Sequence, residues 1–187
     1  MTDLKIPNPH IINEKYLTKY FEHFECLFEK KKDLRVLLAC SGGSDSILLL
    51  YLLLRYFKGS NQVIKIAHIN HNIRDDSFKD EAFVTKVGLE FGISTYIRQL
   101  NPKLRLNNES IESWARKERY KLLSEILIES NSNVILTGHH KNDQAETILK
   151  NISEKTGLFG LGGMKSVNKN LIRPLLPFAK LELMKII

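Results

Sequence analysis

An apolar run from Arg35 to Cys40, RVLLAC, stops abruptly at Ser41-Gly42-Gly43-Ser44-Asp45-Ser46 and gives way to ILLLYLLLRYF, residues 47–57. A run too short for a helix, two glycines, and a long apolar segment describe strand, tight turn, helix. The pattern then recurs. Val63 to Ile69 (VIKIAHI) reads as a strand, Lys79 to Glu90 as a helix before Gly92, and Ser94 to Leu100 (STYIRQL) as a third strand. Ile111, Trp114, Ala115, Leu122 and Ile126 place an apolar stripe on a long helix, followed by the strand NVILTG and a helix from about Asp143. Four strands alternating with helices imply an α/β fold, a doubly wound, mostly parallel sheet with helices on both faces, joined by right-handed crossovers. Ligands of such Rossmann-like sheets bind at the carboxyl ends of the strands, so the loops after Cys40, Ile69 and Thr137 are the ones to inspect.

Ahead of the first strand, Tyr16, Leu17, Tyr20, Phe21, Phe24 and Leu27 recur at spacings near three and four, predicting an amphipathic helix over about 13–32 with an aromatic packing face. A chain of 187 residues suits one domain, here residues 1–187 with a core from about 34. Its 28 Lys and Arg against 21 Asp and Glu give a net charge of +7, which suits a polyanionic partner. The longest apolar stretch, Ile47 to Leu54, falls short of the roughly 20 residues that span a bilayer. MTDLKIPNPH lacks a secretory apolar core, so a cytoplasmic protein with no membrane is expected. Cys26 and Cys40 form no CxxC pair, so neither a disulfide framework nor a zinc site is suggested.

In Ser41 to Ser46 the glycines let the backbone approach an anion, while the hydroxyls and the helix-start N–H groups donate to phosphate. The bland alternative is a tight turn with a Ser or Asp N-cap. Neither GxxxxGK[ST] nor GxGxxG occurs. Asp143 and Glu146, three apart at a helix start, either face the crevice and hold magnesium beside phosphates or form a capping box. Ala145, Ile148, Leu149 and Ile152 recur on another face of that helix. His139 and His140 precede it; one imidazole belongs near the nucleotide, and otherwise the pair reads as a cap and a core residue. His68 and His71, three apart on a strand, point to opposite faces. Glu112, Arg116 and Arg119 share one face of the long helix, opposite its apolar stripe, which by itself reads as a solvated salt-bridge ladder. Trp114 belongs to the core, and Lys30 to Lys32 to a helix C-terminus.

SGGSDS after an apolar strand resembles the signature of the N-type ATP pyrophosphatases. Within them, AHINHNIRDDS (67–77), with His68, Asn70, His71 and Arg74 matching, ARKERY (115–120), TGHHKNDQAET (137–147), and GLFGLGGM followed by LIRPLLPFAKLEL are similar in order to segments of the tRNA(Ile)-lysidine synthase family. The resemblance implies an adenine nucleotide alpha hydrolase-like fold and a two-step reaction. The carbonyl oxygen of the first-anticodon-position cytidine in tRNA(Ile) with a CAU anticodon attacks the α phosphate of ATP and releases pyrophosphate. Free L-lysine then displaces AMP to give lysidine. It further implies ATP held by Ser41, Gly42, Gly43, Ser44, Asp45 and Ser46, and magnesium on Asp45, Asp143 and Glu146. Arg116 would act on the α-phosphoryl group, His139 or an acidic neighbour would take the amine proton, and His71, Arg74 and Arg119 would meet tRNA.

Asn142 stands where that family has an acidic residue, Asn72 where glycine is common, and SEKTG (153–157) lacks an arginine-containing approach to the glycine segment. The chain stops within or just after a helix beginning near Lys180, whereas the family continues into accessory tRNA-binding domains. No oligomeric state is indicated. Two alternatives remain: a thiolating tRNA enzyme of the same superfamily, which commonly uses paired cysteines, for which Cys26 and Cys40 are poorly placed, or a catalytically silent nucleotide- or tRNA-binding module.

Overall fold

The computed structural model describes residues 16–29, 33–60, 63–106, 108–153 and 162–186. Its centre is a sheet of β1 (Arg35–Ala39), β2 (Val63–Asn70), β3 (Thr95–Gln99), β4 (Val134–Thr137), β5 (Val167–Asn168) and β6 (Leu171–Ile172), in the order β3-β2-β1-β4-β6-β5. All neighbours pair parallel except the β5–β6 edge hairpin. The helices are α1 (Leu17–Phe28), α2 (Ser44–Tyr56), α3 (Ser77–Glu90), α4 (Ile111–Glu129), α5 (Lys141–Ser153) and α6 (Lys180–Leu183). The doubly wound α/β expectation holds.

Alternation along the central strands divides the core into two layers. Val36, Leu38, Ile66, Val134 and Leu136 face α1, α2 and α3, whereas Leu37, Ala67 and Ile135 face Leu123, Ile126 and Leu127 of α4. Burial on both faces explains why the strands read as continuous apolar runs. The aromatic face of α1 packs as expected: Tyr20 lies 4.4 Å from Phe178, and Phe24 lies 5.5 Å from Tyr56, centroid to centroid. Positions 13–15 and the Lys30–Lys32 run lie outside the described residues. Trp114 is buried against Leu100, Ala115 and Leu122, as its helical stripe implied.

Three expectations need correcting. Beyond the four anticipated strands, β5 and β6 complete the sheet; each has two residues, too few for a period-2 signal, and their turn places Lys169 at φ +56. β2 ends at Asn70, so the rule that sends His68 and His71 to opposite faces stops applying before His71, and both line one cavity. On α5 the recurring Ala145, Ile148, Leu149 and Ile152 form no buried face, for that helix has no buried residue, and Leu149 and Ile152 are exposed.

Candidate active site

The strand order reverses between β1 and β4: the chain steps outward from β1 through β2 to β3, then returns through α4 to β4 on the other side of β1, and a crevice opens outside the carboxyl ends of β1 and β4. A cavity of about 300 Å³ lies there, lined by the ends of β1, β2 and β4, by the start of α2 and by Arg119 of α4. Its floor begins with the glycine turn. Gly42 adopts φ +87, a left-handed conformation in which an added side chain would be strained. Gly43 is the N-cap of α2 and has no side chain to occupy the first-turn N–H groups, which leaves them for an anion at the positive end of the helix. Ser46 braces the turn: its Oγ donates to Gly43 O at 2.8 Å and lies 3.3 Å from Ser41 Oγ. The neighbouring Cys40 thiol is buried, which pushes its pKa up.

Gly138, after β4, brings the second loop against the first. A Cβ there would stand 3.0 Å from the carbonyl carbon and oxygen of Asp45 and 3.1 Å from Ser46 N, so a side chain would push the two backbones apart by a few tenths of an ångström. Beyond it, His140 and Asp143 start α5 as a reciprocal cap. The Asp143 carboxylate accepts from the His140 N–H at 2.7 Å, and the Asp143 N–H faces His140 Nδ1 at 3.4 Å. The buried His140 ring also joins two carboxylates, with Asp45 Oδ2 3.6 Å from Nε2 and Asp143 Oδ2 3.3 Å from Nδ1. About a third of each aspartate side chain is open to solvent, 31% and 33%. Two hard, accessible carboxylates beside a phosphate-type loop fit magnesium, which takes one or two protein carboxylates and completes its shell with phosphate oxygens and water. Among the described residues no group of three or more His, Cys, Asp or Glu side chains is arranged to hold a metal by itself.

His139 lines the cavity, with Nδ1 2.8 Å from Thr137 Oγ1. Burial, then the charges of Arg119 and Arg173, drive its pKa down to about 4, against a smaller upward pull from Asp143. The imidazole is therefore neutral near pH 7. His71 is lowered in the same way by burial, Arg119 and His68. His68 is buried, its Nδ1 2.9 Å from Cys40 O.

Ser41, Gly43, Asp45, Ser46, His71, Arg74, Arg119 and His139 thus meet at one cavity. Arg74 pairs there with Asp80. Gly42 and Ser44 belong to the same turn without lining the cavity; nor do Asp143 and His140, which connect to it through Asp45. Arg116 is exposed, its guanidinium 5.4 Å from the Tyr120 ring, and Glu146 is exposed on α5; neither lines the cavity. Glu112 pairs across to Lys150 of α5 at 2.7 Å rather than along its own helix.

Two of the unusual asparagines have structural roles. Asn72 occupies φ +52, a left-handed position that asparagine tolerates, and its side chain donates to Leu100 O at 2.9 Å. Asn142 Oδ1 accepts the Lys180 N–H at 3.0 Å and so caps α6. That cap places Lys180, whose Nζ donates to Asp45 Oδ2 at 3.2 Å across 135 residues of chain. Spacing singles out the His139–His140 pair but gives no signal for Lys180 or Gly138 as site residues. SEKTG beyond Ser153 and most of the glycine segment lie outside the described residues; Met164 is held by a two-way bond to the Gln144 amide.

The sequence pattern of the PP-loop domain family matches residues 16–187. The chain is 41% identical over 175 residues to a tRNA(Ile)-lysidine synthase of Thermosipho africanus, covering 91% of this chain and 39% of the relative. It is 39% identical to one of Clostridioides difficile, covering 80% of this chain and 33% of the relative. The chain therefore spans between a third and four tenths of the length of these relatives. Among solved structures, the U34-tRNA thiolase NcsA of Methanococcus maripaludis, with its 4Fe-4S cluster, superimposes with a TM-score of 0.76 at 23% identity, covering 93% of this chain and 64% of that one. An NH3-dependent NAD synthetase of Campylobacter jejuni gives 0.62 at 16% identity, covering 92% and 70%. These two likenesses establish the fold.

Proposed function

The chain belongs to the PP-loop domain family, and from that premise we propose that it is the ATP-using catalytic domain of an enzyme that joins free L-lysine to the first-anticodon-position cytidine of tRNA(Ile) with a CAU anticodon. The observation that carries the reading is the convergence of four separated segments, 41–46, 71–74, 119 and 137–139, on one cavity of a chain 41% identical to a tRNA(Ile)-lysidine synthase. In this reading residues 1–187 act as one catalytic unit in the cytoplasm, with α1 packed onto a nucleotide-binding core from about residue 34.

The uncapped first turn of α2 would bind the pyrophosphate that leaves ATP, with Ser41 to Ser46 orienting it. Asp45 and Asp143, with Glu146 as a more remote candidate, would hold magnesium, which when bound spreads the charge of the phosphates. Lys180 would exchange its partner Asp45 for that same phosphate charge. Arg116 and Arg119 would approach the α-phosphoryl group and the RNA backbone with the planar fork that suits phosphate. Arg74 and His71, at the mouth beside β2, would meet the anticodon.

The lysine amine must lose a proton before it displaces AMP. A neutral His139 is an acceptor poised for that step, and an anion delivered among Arg119, Arg173 and Arg116 opposes the charges that depress it, raising its basicity when substrate is bound. A thiolating chemistry is less well supported. Cys40 is buried with its thiol pushed up in pKa, and Cys26 is exposed on α1 and does not line the cavity, so no pair of reactive thiols meets there.

Release of pyrophosphate from ATP, measured with and without tRNA(Ile), tests the first step. Release that requires the tRNA and disappears in Asp143→Ala supports the reading; wild-type release by that variant refutes the assignment. Tight tRNA binding with no ATP turnover would identify a silent binding module instead.

A further inference from the structure

Arg173 follows β6 at the carboxyl edge of the sheet. The parallel register that pairs Ile135 with Leu171 and Leu136 with Ile172 sets it level with Thr137, one residue before the loop that carries His139. Its neighbours Leu171 and Ile135 belong to the layer that packs on α4, and the side chain enters that layer one helical turn from Leu123, beside Tyr120.

The environment of this cation is unusual. Arg173 is only 4% exposed, yet among the described residues no carboxylate pairs with it. Its Nη1 donates to the Lys165 carbonyl at 2.8 Å, while its buried Nε has no partner. The buried hydroxyl of Tyr120 has no partner besides the side chain of Arg173 itself, which acts on it as a hydrogen-bond donor. The exposed arginines contrast with this: Arg35 pairs with Asp33, Arg74 with Asp80, and Arg98 with Glu129. A guanidinium buried without an anion is strongly unfavourable, and such a group calls for an ionic partner from elsewhere.

The surroundings say what sign and size that partner has. Arg119 and Arg116 lie 5.1 and 5.4 Å from the Tyr120 ring centroid, so three guanidiniums gather around one phenol and one neutral imidazole. Although burial alone would raise the Tyr120 pKa, the three cations together lower it. Among the charged groups that act on His139, Asp143 is the one acid against three arginines. Arg119 and His139 also line the cavity, which connects this cationic corner to the substrate space.

We propose that Arg173 is a binding residue for a substrate oxyanion at the β4–β6 side of the cavity, with the Tyr120 hydroxyl donating beside it. Resting on the two-step reading above, the oxyanion belongs either to the α-phosphoryl group of the nucleotide or to the carboxylate of the incoming lysine. Both offer the planar or tetrahedral oxygens that a guanidinium fork binds. The phosphate loop, on the far side of β4, would take the pyrophosphate, while Arg173, which does not itself line the cavity, acts on it from behind His139 and Arg119 and would meet this second charge there.

The test compares wild type with Arg173→Gln and Arg173→Lys in the full chain. Thermal unfolding is followed alone and with AMP, with lysine and with lysinamide, and KM is measured separately for ATP and for lysine. The proposal expects the unliganded Arg173→Gln protein to unfold no lower than wild type, because an uncompensated buried charge has been removed. It expects the loss of one ligand's stabilising effect and a rise of about tenfold to a hundredfold in the matching KM, as for losing a charge-assisted hydrogen bond. Arg173→Lys, which keeps the charge without the fork, recovers part of it.

A lost AMP effect and a raised ATP KM assign the phosphoryl group. If wild type prefers lysine to lysinamide and Arg173→Gln does not, the carboxylate is the ligand. Loss of either ligand effect in a protein that never labels tRNA would leave the oxyanion site standing and overturn lysine transfer alone. Ligand effects and KM values unchanged within about twofold, or a destabilised free variant with normal KM values, would instead make Arg173 a tether for the Lys165 backbone and overturn the proposal.

Discussion

Replacing Gly138 by alanine drives a methyl group into the backbone of the opposite loop. The new Cβ would stand 3.0 Å from the Asp45 carbonyl carbon and oxygen and 3.1 Å from Ser46 N. Such contacts are tighter than ordinary packing allows, so the two loops must part by a few tenths of an ångström, and because the atoms met are backbone no side-chain rotation can absorb the change. Overpacking of this size costs about 1–3 kcal/mol, which for a domain of this length lowers Tm by roughly 3–9 °C. The same movement shifts Asp45 relative to His140 and Asp143; a full misplacement of about 1 Å costs about a hundredfold, so a shift of a few tenths lowers turnover by roughly threefold to tenfold.

The assay pairs thermal unfolding with tRNA-dependent AMP formation from ATP. Gly88→Ala serves as the comparison, since its Cβ meets Thr95 Oγ1 and the Ile93 carbonyl in the α3–β3 packing, away from the cavity. That variant loses stability while its KM for ATP stays unchanged. Wild-type Tm and turnover in Gly138→Ala would show that the β4 loop does not press on the first turn of α2, and the geometric argument would fail.

Asp143 combines a cap with a charge, and two substitutions separate them. Asp143→Ala removes the acceptor for the His140 N–H and lowers stability by about 1 kcal/mol, readable in urea, whereas Asp143→Asn keeps an acceptor and most of the stability; both lose pyrophosphate release. With a folded pKa of about 4 against an ordinary value near 6.5, His139 binds its proton more readily in the unfolded chain. Its contribution to stability is therefore complete above about pH 6.5 and is lost as pH falls toward 4, so urea midpoints of wild type drop across that window and His139→Gln flattens the drop. Trp114→Ala opens the pocket shared with Leu100 and Ala115 and costs about 3–5 kcal/mol of stability; loss of that magnitude should appear in chemical denaturation without any change in which nucleotide is used.

The parts of the fold legible in the sequence are those written as local pattern. RVLLAC, the glycine pair and the apolar helix declare β1, the anion-facing turn and α2 without any tertiary knowledge, and the alternation that follows declares the parallel sheet. Elements held by distant partners leave no such trace. β5 and β6 are each two residues long and exist because Leu171 and Ile172 pair with β4. In the site, the type of residue was readable but its reach was not: Arg119 enters the cavity while Arg116, one turn earlier on the same helix, remains exposed. Asp143 and Glu146 share a spacing that suits either capping or a ligand pair, and only Asp143 has His140 beside it. Gly138, Lys180 and Arg173 owe their importance to contacts across the sheet or to a missing counter-charge, properties that appear only once the chain is folded. Asn72 had a readable signal, since its left-handed conformation is one that glycine or asparagine supplies.

The central claim is that one cavity unites ATP cleavage with transfer of lysine to a specific RNA. Incubating the protein with magnesium, ATP, radiolabelled lysine and tRNA(Ile) bearing a CAU anticodon, beside elongator tRNA(Met), tests it most directly. The account predicts label retained on tRNA(Ile) alone, dependent on ATP and abolished in Asp143→Ala. Equal label on both tRNAs, or none on tRNA(Ile) while ATP is still cleaved, would contradict it.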